Sequence, residues 1–73
     1  MKTTDTLGSL MFLTNEPDEH LYINIADAIL AYGNRALPSL KEMLKNTLDS
    51  FHKERLESLI YNIEQQDVIS KLN

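Results

Sequence analysis

Two histidines are the residues of this 73-residue sequence that could serve a metal site or acid–base catalysis. His20 follows Glu16 by four residues, a spacing at which an imidazole and a carboxylate can bind one metal ion from a single helix. Pro17 lies between them and keeps the two residues from sharing a helix. We therefore interpret Asp18, Glu19 and their neighbours as a solvated acidic turn, and we expect no metal ligands.

The second histidine, His52, could act as a general base, which requires a positioned nucleophile and a carboxylate that orients the imidazole. Ser50, Glu54 and Ser58 are near it in sequence, but no spacing selects a nucleophile or an orienting partner among them. We interpret His52, together with Arg55, as part of the solvent-facing side of a helix. The sequence has no cysteine, no glycine-rich phosphate loop and no nucleophile elbow. It therefore predicts a protein that is not an enzyme, with no catalytic residues and no cofactor.

Three tyrosines could in principle form an aromatic binding surface. We interpret Tyr22, Tyr32 and Tyr61 instead as residues at the edge of the core, each with a buried ring and a hydroxyl in water. Met11 and Met43 are interpreted as fillers of irregular gaps in the core rather than as an adaptable groove. These residues therefore predict packing rather than binding.

The charge of the chain argues against two classes of partner. The formal net charge is −4, with acidic residues spread along the sequence. Arg35, Lys41 and Lys45 are too few to follow a phosphate backbone, and Glu42 lies among them. No apolar run approaches the roughly 20 residues that span a bilayer, and residues 7–13 lack the flanks of a signal peptide. We expect a cytoplasmic protein that binds neither nucleic acid nor membranes.

Helical periodicity and end signals predict the elements that position these side chains. Asp18 and Asp49 can cap helices, Gly33 can end one in the left-handed conformation, and Pro38 is tolerated in a first turn. The apolar stripe of the third helix ends at Leu48. We predict a flexible tail at 1–5, then helices at 6–14, 18–32, 36–48, 50–65 and 67–72.

Apolar positions at helical spacing predict the core of one all-α domain over residues 1–73. The helices at 18–32 and 36–48 are joined by a short link and are expected to pack as an antiparallel pair. The predicted core consists of Leu10, Leu13, Ile25, Ile29, Leu37, Leu40, Leu44, Leu56, Leu59, Ile60 and Ile63.

The sequence also shows weak internal similarity. A shift of about 31 residues places Ile25 and Ile29 on Leu56 and Ile60, and it brings Leu37 onto Val68, which favours a break near residue 65 and a new helix at 67. The alternative is that any two amphipathic helices align under some shift. Fewer than three units are present, so either the flanking half-units act as caps or the chain is part of a longer one.

The stretch 18–48 resembles HEAT-like repeats, because its first helix ends at a glycine and its second opens with Ala-Leu-Pro-Ser-Leu. Nearly the whole chain resembles the helical N-terminal region of bacterial transglutaminase-like proteins of the SirB type, particularly those from Bacteroidetes. The shared features are the LTNEPDE turn at 13–19, Gly33, Pro38 and the ERLESLIYNI run at 54–63. Ser50 departs from this pattern, since such proteins tend to have proline there.

The resemblance implies a short HEAT-like stack of helices and a non-catalytic role. Members of that family continue into a core with a cysteine, histidine and aspartate triad, which this cysteine-free chain does not carry. We therefore predict a helical-repeat scaffold or protein–protein interaction module that binds a protein partner or a downstream domain of its own chain. The alternative is an accessory segment of a transglutaminase-like hydrolase or transferase. Self-association through the C-terminal end, at residues 68–72, is a third hypothesis.

Overall fold

A computed structural model describes the backbone of residues 6–72 and the side chains of residues 7–66. The described residues form four α-helices and two short 3-10 helices and include no strand, so the all-α prediction is confirmed. The predicted tail at 1–5 lies outside the described residues. The α-helices are α1 (Thr6–Phe12), α2 (Glu19–Leu30), α3 (Leu37–Asn46) and α4 (Ser50–Leu72), and the 3-10 helices are Leu13–Asn15 and Gly33–Ala36.

Local signals place most of the helix ends. The Asp18 carboxylate accepts hydrogen bonds from the backbone N–H groups of His20 and Leu21, at 2.9 and 3.4 Å. Gly33 has a φ of +63°, in the left-handed region, and Pro38 lies in the first turn of α3. The predicted caps, glycine turn and proline position are therefore confirmed. The chain tightens into 3-10 turns after α1 and before α3, so α1 ends earlier and α3 begins later than predicted. Helix α3 also ends at Asn46, two residues before the predicted end.

The predicted break between helices at 50–65 and 67–72 is wrong. Helix α4 runs without interruption from Ser50 to Leu72, a length of about 34 Å at the usual rise per residue. Gln65 and Gln66 both favour helix, and neither position has a glycine or proline that would end it. The break depended on the repeat alignment, which the structure does not support at this point.

The packing differs from the predicted hairpin of the second and third helices. Helix α3 makes its most extensive contact with α4, and its pairing with α2 is not among the main contacts of the fold. The 3-10 helix Gly33–Ala36 lies between α2 and α3 in sequence and contacts α4, with Ala36 fully buried. Helix α4 therefore serves as the common packing surface for α2, α3 and both 3-10 helices.

The core contains the predicted residues with one clear exception. Leu13 is 45% exposed, and Thr14 occupies the buried position instead. The reason is that α1 ends at Phe12 and a 3-10 helix follows, with three residues per turn instead of the 3.6 of an α-helix. Each residue of this segment therefore faces a different direction from the one predicted. The other predicted residues are buried or partly buried: Ile29, Leu40, Leu56, Leu59 and Ile63 are buried, and Leu10, Ile25, Leu37, Leu44 and Ile60 pack against them.

None of the helices within the described part of the chain combines the length and apolar character that a bilayer span requires.

Candidate functional site

A cavity of about 540 Å³ that is open to solvent lies among the described residues. Its walls come from the end of α1, the 3-10 helix Leu13–Asn15, one side of α3 and the first turn of α4. Met11, Phe12 and Met43 supply apolar and thioether surface, whereas Glu42 and His52 supply polar groups. The cavity has a size usual for ligand sites and mixes an apolar lining with a few polar groups.

A buried hydroxyl fixes the imidazole at the wall of this cavity. Thr14 Oγ1 lies 2.7 Å from His52 Nε2, 2.7 Å from the Met11 carbonyl oxygen and 3.6 Å from Met43 Sδ. Thr14 has no exposed surface, so a substrate could not reach its hydroxyl as a nucleophile. The hydrogen bond therefore positions the His52 ring.

Hydrogen bonds at the end of α3 hold the part of the wall that this helix supplies. Asn46 Nδ2 donates to the Glu42 carbonyl at 3.1 Å and to the Glu42 carboxylate at 3.3 Å. Thr47 Oγ1 donates to the Met43 carbonyl at 2.7 Å, which satisfies one of the last carbonyls of the helix. The carboxylate of Glu42 is thereby kept at the cavity.

Two large apolar side chains are exposed where α1 and α3 end. Phe12, which lines it, is 81% exposed, and Leu48, which follows the wall residue Thr47, is 94% exposed. Leu48 was predicted to continue the stripe of the third helix, but α3 ends at Asn46 and leaves it outside the core. Sequence periodicity did not predict the exposure of Leu48, because that exposure depends on the residue at which α3 ends.

Arg55 was predicted to face water, and this prediction is wrong. Its side chain is buried, and Nη1 donates to the carbonyl oxygens of Thr14 at 2.9 Å and Glu16 at 2.6 Å. Nη2 lies 3.4 Å from Glu19 Oε1. The spacing of four residues from Arg55 to Leu59, which is buried, was the available signal that it lies on the inward face of α4.

The residues considered for metal binding around His20 have other roles. Asp18 caps α2, and the Glu16 carboxylate accepts a hydrogen bond from the Asp18 N–H at 3.1 Å. Glu19 pairs with Arg55, and His20 is exposed. Within the described residues, the structure brings together no group of three histidine, cysteine or carboxylate side chains that could hold a metal ion.

The residues considered around His52 are not assembled with it. Ser50, Glu54 and Ser58 are exposed, and the hydrogen-bond partner of the ring is Thr14, 38 residues away in sequence. His52 itself is half-buried rather than fully in solvent. The structure thus places this histidine in a polar contact that the sequence did not indicate.

The three tyrosines do not form one surface. Tyr22 is buried, as predicted, and burial raises the pKa of its hydroxyl above the ordinary value of 10.0, against the opposing effect of the Arg55 charge. Tyr32 is half-buried and lies 5.7 Å from the guanidinium carbon of Arg35. Tyr61 is 61% exposed, so its predicted place at the edge of the core is wrong.

Comparison with known proteins does not assign the chain to a family. No protein-family model, curated protein or solved structure matches the chain. The resemblances to HEAT-like repeats and to the SirB-type proteins remain hypotheses drawn from sequence motifs.

Proposed function

We propose that the chain is a non-catalytic protein-interaction module. Its docking groove is the cavity described above, with the exposed ring of Phe12 in its lining. The observation that carries this proposal is the exposure of Phe12, because an aromatic ring at 81% exposure beside a concave surface has a large apolar area available for burial. Aromatic residues of this kind dominate the binding energy of many interfaces.

The chemistry of the groove supports a partner segment with an apolar anchor next to a basic residue. Met11 and Met43 fill space in and against the core, and the surface that they leave open to the cavity is apolar lining for the anchor. The Glu42 carboxylate at the wall and the net charge of −4 favour a lysine or arginine beside it. Asn15 and Ser39 supply polar groups at the same cavity. The partner would be another protein or a further domain of the same polypeptide.

The HEAT-like architecture belongs to this proposal. Helical repeats present grooves between stacked helices and use them to bind protein segments. The glycine turn at Gly33 and the proline at Pro38 support it, whereas the uninterrupted α4 departs from the predicted repeat boundary. Action in the cytoplasm is part of the same proposal and is tested by locating the endogenous protein in fractionated cells.

The test is selection of binding peptides from a random library on the immobilised protein, followed by titration of the isotope-labelled chain with the selected peptides. We expect peptides with a large apolar residue next to lysine or arginine, and shifts of amide signals at Phe12, Glu42 and Met43. The variant Phe12→Ser should weaken binding by at least about tenfold, which corresponds to about 1.4 kcal/mol.

The matched control is Ile23→Ser, which removes an exposed apolar side chain of α2 that does not line the groove. This variant should bind like the wild type. Selected peptides that bind without shifting the amide signals of the groove residues would refute the proposal. So would a Phe12→Ser variant that binds the peptides as tightly as the wild type does. Sedimentation showing a dimer that dissociates in the Phe12→Ser variant would replace the basic peptide with a second copy of the chain as the occupant.

A further inference from the structure

The docking groove contains an imidazole, a group whose charge changes near neutral pH. Glu42 and His52 are the ionisable side chains among the residues that line the cavity. Imidazole gains a proton between about pH 8 and pH 5, whereas carboxyl groups ordinarily stay ionised over most of this range. The other histidine, His20, is exposed on α2 and does not line the cavity. A proton on His52 would therefore offset the negative charge that Glu42 gives the groove.

The contacts of the His52 ring determine where that proton is added. The Thr14 hydroxyl has one proton, and the Met11 carbonyl, 2.7 Å away, can only accept it. Thr14 Oγ1 therefore accepts a hydrogen bond from His52 Nε2–H, also at 2.7 Å. The neutral ring then has its lone pair on Nδ1, and protonation adds the second N–H there. The hydrogen bond to Thr14 is consequently made in both charge states of the ring.

Protonation of His52 is therefore compatible with the folded structure. The ring is half-buried and lines a cavity that is open to solvent, so the added charge is not enclosed in the core. Fully buried Thr14 keeps its N–H donor and its own acceptor at Met11. The charge of an imidazolium is shared over the whole ring, so it acts on the groove whichever ring atom faces it. The charge of the groove can thus change while the packing around it stays the same.

The elements around His52 carry other charged groups, which do not change in the same pH range. These are the charged residues of α3 and of the start of α4, together with its cap: Lys41, Glu42, Lys45, Asp49, Lys53, Glu54 and Arg55. The Asp49 carboxylate accepts the backbone N–H of His52 at 2.9 Å. Helix α1 and the 3-10 helix Leu13–Asn15 contain no ionisable side chain. Carboxyl, ammonium and guanidinium groups ordinarily keep their charges between about pH 5.5 and pH 8, which leaves the imidazole as the group that responds.

We propose that protonation of His52 releases a basic partner segment from the docking groove as the pH falls from about 7.5 to about 5.5. This inference rests on the proposed function, in which Glu42 favours a lysine or arginine of the partner. An imidazolium in the same cavity repels that cation, because like charges that are brought together at an interface oppose binding. The partner therefore binds best where His52 is neutral.

The test measures the affinity of the full chain for the tightest selected peptide that has lysine next to a large apolar residue, by calorimetry at about pH 7.5 and pH 5.5 in the same salt. We expect binding to be at least about fivefold weaker at the lower pH. The same peptide with norleucine in place of lysine is the matched control and should bind equally at both pH values. Thermal unfolding verifies that the chain is folded in both buffers.

The outcomes separate this inference from the proposed function. A lysine peptide that binds equally at both pH values, or a norleucine peptide whose affinity falls by the same factor, would overturn the inference and leave the docking groove in place. A library that yields no binding peptide would refute the proposed function, and the inference with it.

Variants assign the effect to one histidine. His52→Gln has an amide N–H that can replace the ring as the donor to Thr14, and this variant should bind the lysine peptide equally at both pH values. His20→Gln should keep the full pH dependence. By linkage, bound peptide should hold the His52 ring of the wild type neutral to lower pH, which ¹⁵N spectra of the imidazole measure without any substitution. Full pH dependence in folded His52→Gln, or a ring whose titration the peptide does not change, would overturn the inference.

Discussion

The guanidinium carbon of Arg55 lies 3.8 Å from the centroid of the Tyr22 ring, which places a buried cation against a buried aromatic side chain. The ring of Phe51 lies 4.4 Å from the same carbon. Cation–π attraction is strongest where water is excluded, as it is here. Together with its bonds to the carbonyls of Thr14 and Glu16, Arg55 joins α4 to the segment that connects α1 and α2.

Replacement of Arg55 by alanine should destabilise the fold by about 3 kcal/mol, because it leaves the buried carbonyl of Thr14 and the partly buried carbonyl of Glu16 without this donor and removes two ring contacts. Urea unfolding followed by circular dichroism measures this change. Arg35→Ala is the matched control, since Arg35 is exposed and lies 5.7 Å from one ring, and it should cost less than about 0.5 kcal/mol. Equal losses for the two variants would contradict the buried role of Arg55.

The ion pair with Glu19 should contribute little to that effect. The Glu19 side chain is 68% exposed, and its oxygen lies 3.4 Å from Arg55 Nη2. Exposed carboxylates are screened by water, so we expect Glu19→Gln to cost less than about 1 kcal/mol in the same unfolding experiment. A loss as large as that of Arg55→Ala would mean that the ion pair, rather than the carbonyl bonds, holds the arginine.

Removal of the Thr14 hydroxyl should release the His52 ring. The Thr14 hydroxyl donates its one proton to the Met11 carbonyl, so its oxygen accepts a hydrogen bond from His52 Nε2–H. Thr14→Val keeps the shape of the side chain but leaves Nε2–H without this acceptor, at a cost of about 1–3 kcal/mol. Long-range ¹H–¹⁵N spectra of the imidazole should show the Nε2-protonated tautomer in the wild type and a mixture in this variant. Thr14→Ser keeps the hydroxyl and should keep the tautomer. A pure Nε2-protonated form in Thr14→Val would contradict the assignment.

The two glycines should respond to alanine in opposite directions. At Gly33 the φ of +63° disfavours any side chain, and an added Cβ would have no heavy atom of the described residues within 4 Å. Gly33→Ala should therefore cost about 1 kcal/mol from backbone strain alone. Gly8 is an exposed residue of α1, where alanine should add about 0.5–1 kcal/mol of stability. The shift in melting temperature should have the opposite sign in the two variants.

The raised pKa of Tyr22 predicts a loss of stability in alkaline solution. Burial favours the neutral phenol, so above the unfolded-state value of 10.0 the folded chain retains a proton that the unfolded chain has lost. The free energy of unfolding should therefore fall as the pH rises above 10.0. Urea unfolding at increasing pH measures the slope. Tyr22→Phe should show a shallower fall, and Tyr61→Phe, at an exposed position, should fall like the wild type.

The sequence by itself determined the features that depend on contacts within a few residues. They include the cap at Asp18, whose side chain accepts hydrogen bonds from backbone N–H groups that have no partner within the helix. They also include the left-handed turn at Gly33 and the proline in the first turn of α3, where a missing N–H removes no helix hydrogen bond. The helical period likewise identified most of the core, including Ile29 and Leu56, because burial of one helix face requires that period in any all-α fold.

Only the tertiary structure decided the features that depend on distant residues. Arg55 is buried because the carbonyl of Thr14, 41 residues earlier, accepts its hydrogen bond. The residues next to Arg55 in sequence do not reveal that partner, so they predict a solvated arginine. His52 meets Thr14 because the 3-10 helix Leu13–Asn15 packs against α4. The polarity of a side chain sets the cost of burying it, but partners contributed by other helices determine whether that cost is offset.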